Sequence, residues 1–315
     1  MNSFKLTFEI PKSAAKIAHG QQILFLGSCF SDEISNKAKF HGLKVASNPF
    51  GTVFHPLALS RFIIETNEDQ SINERIVQRN DLFFSWDANS SIYSTSKAEL
   101  TSKLKSIRQD WLEKLKKADV IFITFGTAWG YHLNETETLV ANCHKITSSS
   151  FSKRLSKQLE LFEHWKETID SLKCANPTLK IIFTVSPVRH IKDGLIENNR
   201  SKAILLELVR RLEEECACFY FPSYEIVIDE LRDYRFFKTD RVHPNEEAIN
   251  YVWDRFSEVF FTNETLELNK EIEKLRLAES HRSLFPESAE NKKHLVLTKE
   301  KREFLQKNYQ MIELD

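Results

Sequence analysis

The chain has 315 residues, enough for one large domain with decoration, and its 44 Lys and Arg nearly balance 45 Asp and Glu for a formal net charge of −1. That balance leaves no field to hold a polyanion or an anionic membrane surface, which argues against nucleic acid and membrane as partners. Residues 1–20 carry only short apolar stretches broken by Lys5, Glu9, Lys12 and Lys16, so the expectation is no secretory leader, no membrane span and a cytoplasmic protein.

The first element in chain order is the apolar run Gln22 to Leu26, too short for a helix and read as a strand. Phe30-Ser31-Asp32-Glu33-Ile34 then predicts a helix start with Ser31 as cap and two acids in the first turn, so strand and helix meet in an elbow. Leu43 to Ala46 predicts a second short strand, followed by a Ser47-to-Thr52 loop and a helix from about Pro56, with proline at its favoured first position. Asp81 to Trp86 and Ser91 to Ser94 predict an inserted hairpin around Asp87-Ala88-Asn89. Leu100, Leu104, Ile107, Trp111 and Leu115 recur at helical spacing, and Val120 to Phe125 runs apolar without alternation, as a strand buried on both faces does.

A long polar loop is expected from Gly126 to Ser150. An amphipathic helix follows, with Leu155, Leu159, Phe162, Ile169 and Leu172 inward, and then a strand from Lys180 to Val185. Leu205, Leu208, Val209 and Leu212 mark another helix, Cys218 to Phe221 a strand, and Ala248 to Phe260 a closing helix. This alternation predicts an α/β three-layer sandwich: a central sheet of four or five parallel strands with helices on both faces, spanning residues 1–262. Residues 263–315 turn charge-rich and predict a helical extension, with helices over Leu266 to Leu277 and Thr298 to Asn308.

Two separated motifs carry the chemistry. Gly27-Ser28-Cys29-Phe30 closes the first strand, and Asp240-Arg241-Val242-His243-Pro244 precedes the last helix of the sandwich. Strand ends gather their loops on one rim of a parallel sheet, so both motifs are expected there. Cys29 at the mouth of a helix gains from unpaired N–H groups that favour a thiolate, while Asp32 and Glu33 oppose it. Ser28 is the rival nucleophile, and the competing reading of Cys29 is a small residue filling the elbow. Asp240 three residues before His243 can hold one imidazole nitrogen and leave the other for the nucleophile, although the same spacing also serves a helix entrance.

Candidate oxyanion donors are the N–H after the elbow, the N–H of Gly51 and the side chain of Asn48, with ordinary turn chemistry as their alternative. Gly126 and Thr127 follow the central strand at the rim suited to binding, and Arg189-His190 could reach an anionic substrate. His55, His132 and His144 read more simply as hydrogen-bonded or solvated residues. Cys29, Cys143, Cys174, Cys216 and Cys218 form an odd set without framework or metal-ligand spacing, so neither disulfides nor a metal site nor any cofactor is expected.

Several of these segments together carry a family resemblance: Gly27 to Ser31, Asn48-Pro49-Phe50-Gly51-Thr52, Phe125-Gly126-Thr127, Asn142-Cys143-His144-Lys145, Thr184 to Arg189 and Asp240 to Pro244. From about Leu24 to Phe260 the chain resembles the GSCFA family, named for a Gly-Ser-Cys-Phe-Ala motif and placed in the SGNH/GDSL hydrolase superfamily. The resemblance implies an SGNH hydrolase-like, flavodoxin-like sandwich with Cys29 at the nucleophile position, His243 as base and Asp240 as its acid partner, and Gly51 near an oxyanion glycine. It implies a hydrolase acting on ester bonds, an esterase, thioesterase or O-acyltransferase, working on a small-molecule or carbohydrate acyl ester. The superfamily's Gly-x-Asn-Asp block is replaced here by Gly126-Thr127-Ala128-Trp129, and alanine donates no side-chain hydrogen bond. Either Asn48 or Asn142 substitutes, or the chain is a non-catalytic ligand-binding protein that keeps the fold.

Overall fold

The structure, a computed structural model, describes residues 6–11, 16–64, 72 and 74–314. Parts of the amino-terminal stretch expected to lack a leader, residues 1–5 and 12–15, lie outside it. In chain order the strands are β1 (Gln22–Gly27), β2 (Lys44–Ser47), β3 (Ile76–Arg79), β4 (Leu82–Ser85), β5 (Tyr93–Ser94), β6 (Val120–Phe125), β7 (Trp129–Leu133), β8 (Leu139–Val140), β9 (Phe151–Leu155), β10 (Lys180–Val185) and β11 (Phe219–Tyr220). The longer helices are α1 (Cys29–Phe40), α2 (Pro56–Ile64), α3 (Lys97–Lys117), α4 (Gln158–Ala175), α5 (Leu195–Cys216), α6 (Glu246–Phe260), α7 (Asn263–Ser280) and α8 (Ala289–Asn308).

Five strands form one parallel sheet in the order β11-β10-β6-β1-β2. Chain direction along the sheet reverses between β1 and β6, which opens a crevice at their carboxyl ends, where doubly wound sheets collect their ligands. Alternation along β1 sends Leu24 and Leu26 to one face and Ile23 and Phe25 to the other. The first face is covered by α2, α3, α4 and α5, through residues such as Phe62, Trp111, Trp165 and Leu208. The second is covered by α1 and α6, where Ile34, Val252 and Phe256 close over Phe25 stacked on Phe122 at 4.9 Å. All six residues of β6 are buried, as expected of a strand covered on both sides.

Three expectations change. The segment 126–150 is not a loop: β7 pairs antiparallel with both β8 and β9 to form a small sheet at the rim. Its strands are short and mix polar residues with apolar ones, so the sequence lacks the apolar run that marks a core strand. Consequently Leu155 ends β9 rather than facing inward from α4, and Leu159 is exposed. The inserted hairpin is a three-stranded sheet with a second turn at Asn80 and Asp81, between β3 and β4. Helix α1 begins at Cys29 with Ser28 at the cap position, so Ser31 is not the cap, and its hydroxyl is buried without a partner.

Helices α7 and α8 pack on each other through Leu268, Ile272 and Leu275 against Leu305. They join the sandwich where the Glu313 N–H donates to Gly42 O at 2.9 Å and Thr265 Oγ1 donates to Ile17 O at 3.1 Å. Among the described residues no helix is long and apolar enough to cross a membrane.

The tightest constraint on this architecture is at Gly27, with φ of 140°, where an added Cβ would lie 2.3 Å from Thr124 O on β6. Gly27→Ala is expected to lose at least about 2 kcal/mol through this overlap. The urea midpoint, read by circular dichroism against wild type, checks it.

Candidate active site

β1 delivers the elbow to the rim of the sheet, and at the elbow the two rival nucleophiles separate. Ser28 is fully buried with its hydroxyl unpartnered, whereas Cys29 is half-buried at the first position of α1. Of the two, only the sulfur has access to a substrate. Burial pushes its pKa up, and the nearby Asp32 carboxylate adds to that, against a smaller opposite pull from the backbone N–H groups of Phe30 and Cys29. The resting sulfur is therefore a protonated thiol.

Asn48 braces the elbow from the side. Its carboxamide oxygen accepts from the Gly27 N–H at 2.7 Å, and its nitrogen donates to Asp32 Oδ1 at 2.8 Å. The Gly51 N–H is engaged in the same loop, donating to Asn48 O at 2.8 Å. Gly51 sits at φ of 73°, and a Cβ there would meet the Asn89 Cβ at 2.4 Å, so the turn requires glycine. Both expected oxyanion candidates thus have partners within the protein, and the N–H groups at the start of α1 remain the donors closest to the sulfur.

The second motif forms a self-contained dyad. Asp240 Oδ1 accepts from the Val242 and His243 N–H groups at 2.8 and 3.0 Å, and Asp240 Oδ2 meets His243 Nδ1 at 2.7 Å. The His243 N–H, then the Val242 N–H, then the imidazole hold the Asp240 carboxyl well below the usual carboxylate range, so it stays ionised. With Nδ1 donating to the carboxylate, Nε2 is left as the proton acceptor. The loop is tied to α1 by Lys238, whose ammonium ion-pairs Glu33 at 3.2 Å while its N–H donates to His243 O at 2.7 Å. Arg189 stiffens the loop from the other side, donating to Arg241 O at 3.2 Å with its guanidinium 4.4 Å from the Phe237 ring centre. It is occupied by the protein.

Beneath the rim lies a group that sequence reasoning missed. Lys202 on α5 is 1% exposed, and its ammonium donates to Gly126 O and Ser186 O, both at 2.6 Å, at the ends of β6 and β10. Burial pushes its pKa down to about 7, with the neighbouring Cys29 acting in the opposite direction. Its neighbour Ser201 receives the Ala128 N–H at 2.7 Å and meets Thr127 Oγ1 at 3.1 Å. Ala128 itself is fully buried, so its methyl fills the interior.

Between the small sheet and residues 190–193 is a cavity of about 400 Å³, lined among others by Thr127, Trp129, Asn142, Lys153 and His190. Asn142 Oδ1 accepts from Ser90 Oγ and from the His144 N–H, and among the described residues its N–H2 group has no hydrogen-bond acceptor. The His190 imidazole is held neutral, pushed down to about 3 by burial first, then by Lys202, Lys153 and His243. His190 lines the cavity, and the residue before it reaches the dyad loop, where the Arg189 N–H donates to Val242 O at 3.4 Å. His55 and His144 are structural: His55 Nε2 donates to Ala128 O and Ser156 Oγ, and His144 is held by Ser85 O and Ser90.

Residues 22–256 match the GSCFA family. The chain belongs to that family. No curated protein matches the sequence. Among solved structures, the GSCFA chain is similar to a carbohydrate esterase family 3 protein from Talaromyces cellulolyticus, at 7% identity over 80% of this chain and 99% of that one, with a TM-score of 0.34. It is similar to a GDSL-like lipase from Parabacteroides merdae at 13% identity over 79% and 98%, with a TM-score of 0.40. It is also similar to a family two carbohydrate esterase from Clostridium thermocellum, at 8% identity over 85% and 67%, with a TM-score of 0.35.

In this GSCFA protein the elbow, its Asn48 brace, the dyad and the cavity share one rim, while Ser28, Gly51 and Arg189 serve as support. Lys202 carries no motif, since a lysine inside an amphipathic helix reads as solvated. Of the Arg189-His190 pair expected to reach a substrate, His190 lines the cavity while Arg189 is engaged by the dyad loop. One consequence is measurable. Cys29 should be alkylated by iodoacetamide with a pH midpoint above the ordinary thiol value of 9.0, and Asp32→Asn should lower that midpoint by removing a negative neighbour. Peptide-resolved mass spectrometry of the Cys29 peptide reads both.

Proposed function

We propose that this protein is a hydrolase of ester bonds in which Cys29 attacks an acyl carbonyl, His243 takes and returns the proton, and Asp240 orients His243. The observation that carries the reading is the Asp240–His243 contact of 2.7 Å, beside an elbow that offers one accessible sulfur. Because the thiol rests protonated, its proton passes to His243 Nε2 as the sulfur bonds the carbonyl carbon. The carbonyl oxygen becomes an oxyanion held by N–H groups at the start of α1. Collapse expels the alcohol, which takes the proton from His243, and leaves a thioester on Cys29. Water then gives a proton to His243 and attacks the thioester. When the carbon–sulfur bond breaks, the sulfur regains its proton and a carboxylic acid is released. An alcohol in place of that water would give acyl transfer from the same intermediate.

The second reading is a ligand-binding protein whose reactive centre has lapsed. It is favoured by the raised pKa of Cys29 and by Ala128 standing where the superfamily supplies an asparagine donor.

Exposure to 4-nitrophenyl acetate should give a transient adduct of one acetyl group in intact-protein mass spectra, absent from Cys29→Ala and retained in Ser28→Ala. His243→Ala should lower the turnover by about 10²–10⁴-fold, the range of a lost general base. No acetylation of wild-type Cys29 across the pH range, or undiminished turnover in His243→Ala, would reject this mechanism.

A further inference from the structure

The cavity is lined by cations that lie over aromatic rings. Lys153 Nζ lies 5.4 Å from the Trp129 ring centre and 5.0 Å from that of Tyr131, and it ion-pairs Asp193. Lys192 Nζ lies 5.4 Å from the Tyr131 ring centre and donates to Tyr131 Oη at 3.2 Å, and among the described residues it ion-pairs no carboxylate. The cavity lining therefore has two ammonium groups against one carboxylate, with His55 and His190 neutral. On the same lining, Asn142 has its carboxamide oxygen fixed by Ser90 and the His144 N–H, and among the described residues its N–H2 has no hydrogen-bond acceptor. A planar donor and two cations lining one cavity match the chemistry of a carboxylate or phosphate oxygen.

We infer that this cavity binds an anionic group of the ester substrate, received by Lys192, Lys153 and the Asn142 carboxamide, so that the enzyme selects acyl esters whose other arm carries a carboxylate or phosphate. The inference rests on the proposed ester-hydrolase reading, because the cavity wall at residues 190–193 continues from Arg189, which is hydrogen-bonded to Val242 O and Arg241 O in the loop that carries His243. Two arrangements of charge follow. An anion entering the cavity neutralises the excess ammonium charge, while a neutral arm of equal size leaves Lys192 with only a phenol oxygen.

A matched pair of acetyl esters tests it: 4-acetoxybenzoate, which is anionic, and its neutral methyl ester, with 4-hydroxybenzoate and methyl 4-hydroxybenzoate as their non-reacting counterparts. The kcat/KM ratio of anionic over neutral ester should exceed one, and it should fall about tenfold in Lys192→Met, the size of one lost charge-assisted hydrogen bond. Lys192→Arg should keep most of it. Calorimetric titration of Cys29→Ala should show 4-hydroxybenzoate binding at least tenfold more tightly than its methyl ester, and inorganic phosphate competing with it shows that charge alone is read. Equal kcat/KM for the two esters, together with equal binding, overturns the anion site while leaving the hydrolase reading intact. Selective anion binding that Lys192→Met weakens, in a protein that turns over neither ester, overturns the hydrolase reading and keeps the site.

Discussion

The carboxyl end of β1 is where the whole rim is decided, because its last residue approaches β6 more closely than any side chain permits. A Cβ at Gly27 would fall 2.3 Å from Thr124 O, yet the two residues are register partners in the ladder. Leaving the strand at φ of 140°, the backbone turns directly into α1 and puts Cys29 at the first helical position. Both polar groups of Gly27 are then taken by the loop after β2, its N–H by Asn48 Oδ1 and its carbonyl by the Val53 N–H at 3.1 Å. Elbow and loop are consequently one unit, and Asp32 is its third corner through Asn48.

The neighbouring strand ends are held by a different device. Carbonyls at the ends of β6 and β10 have left the ladder and need donors, since buried backbone oxygens without partners are costly. Lys202 supplies them from α5, and the cost of burying an ammonium appears as its lowered pKa. Ser201, the residue before it, accepts the Ala128 N–H, two positions after Gly126. Two consecutive residues of one helix thus satisfy the backbone around Gly126 to Ala128. This explains why alanine is tolerated at 128: the residue is packed inward, and the polar work of the segment is done by its neighbours.

Much of the sandwich was legible because its strands are continuous apolar runs and its helices keep strict spacing, as in Val120 to Phe125 and the Leu100-to-Leu115 series. The small sheet β7-β8-β9 was not, because its members mix His132, Lys153 and Arg154 with apolar residues and lie over the rim. The Asp240–His243 pairing was legible from a three-residue spacing, since both side chains leave the same tight loop. Lys202 was hidden because it owes its setting to burial by residues far away in sequence, and a charged side chain announces nothing of that locally. His190 was legible as a residue near the rim, but its burial was not.

The electrostatics of the rim assign the dyad a definite duty. Because α1 starts at Cys29 and not after Ser31, its first turn holds one acid, Asp32, with Glu33 next to it, and both disfavour a thiolate on Cys29. A cysteine enzyme that relied on a preformed thiolate would place a cation there instead. In this chain the sulfur is left protonated and the carboxylate across the rim, Asp240, is the group kept charged, by two N–H donors and one imidazole. Any attack by Cys29 must therefore hand its proton to an acceptor during bond formation, as a serine hydroxyl does. In the proposed mechanism the elbow acts as a serine-type nucleophile site carrying sulfur, and its competence hangs on the orientation of one imidazole.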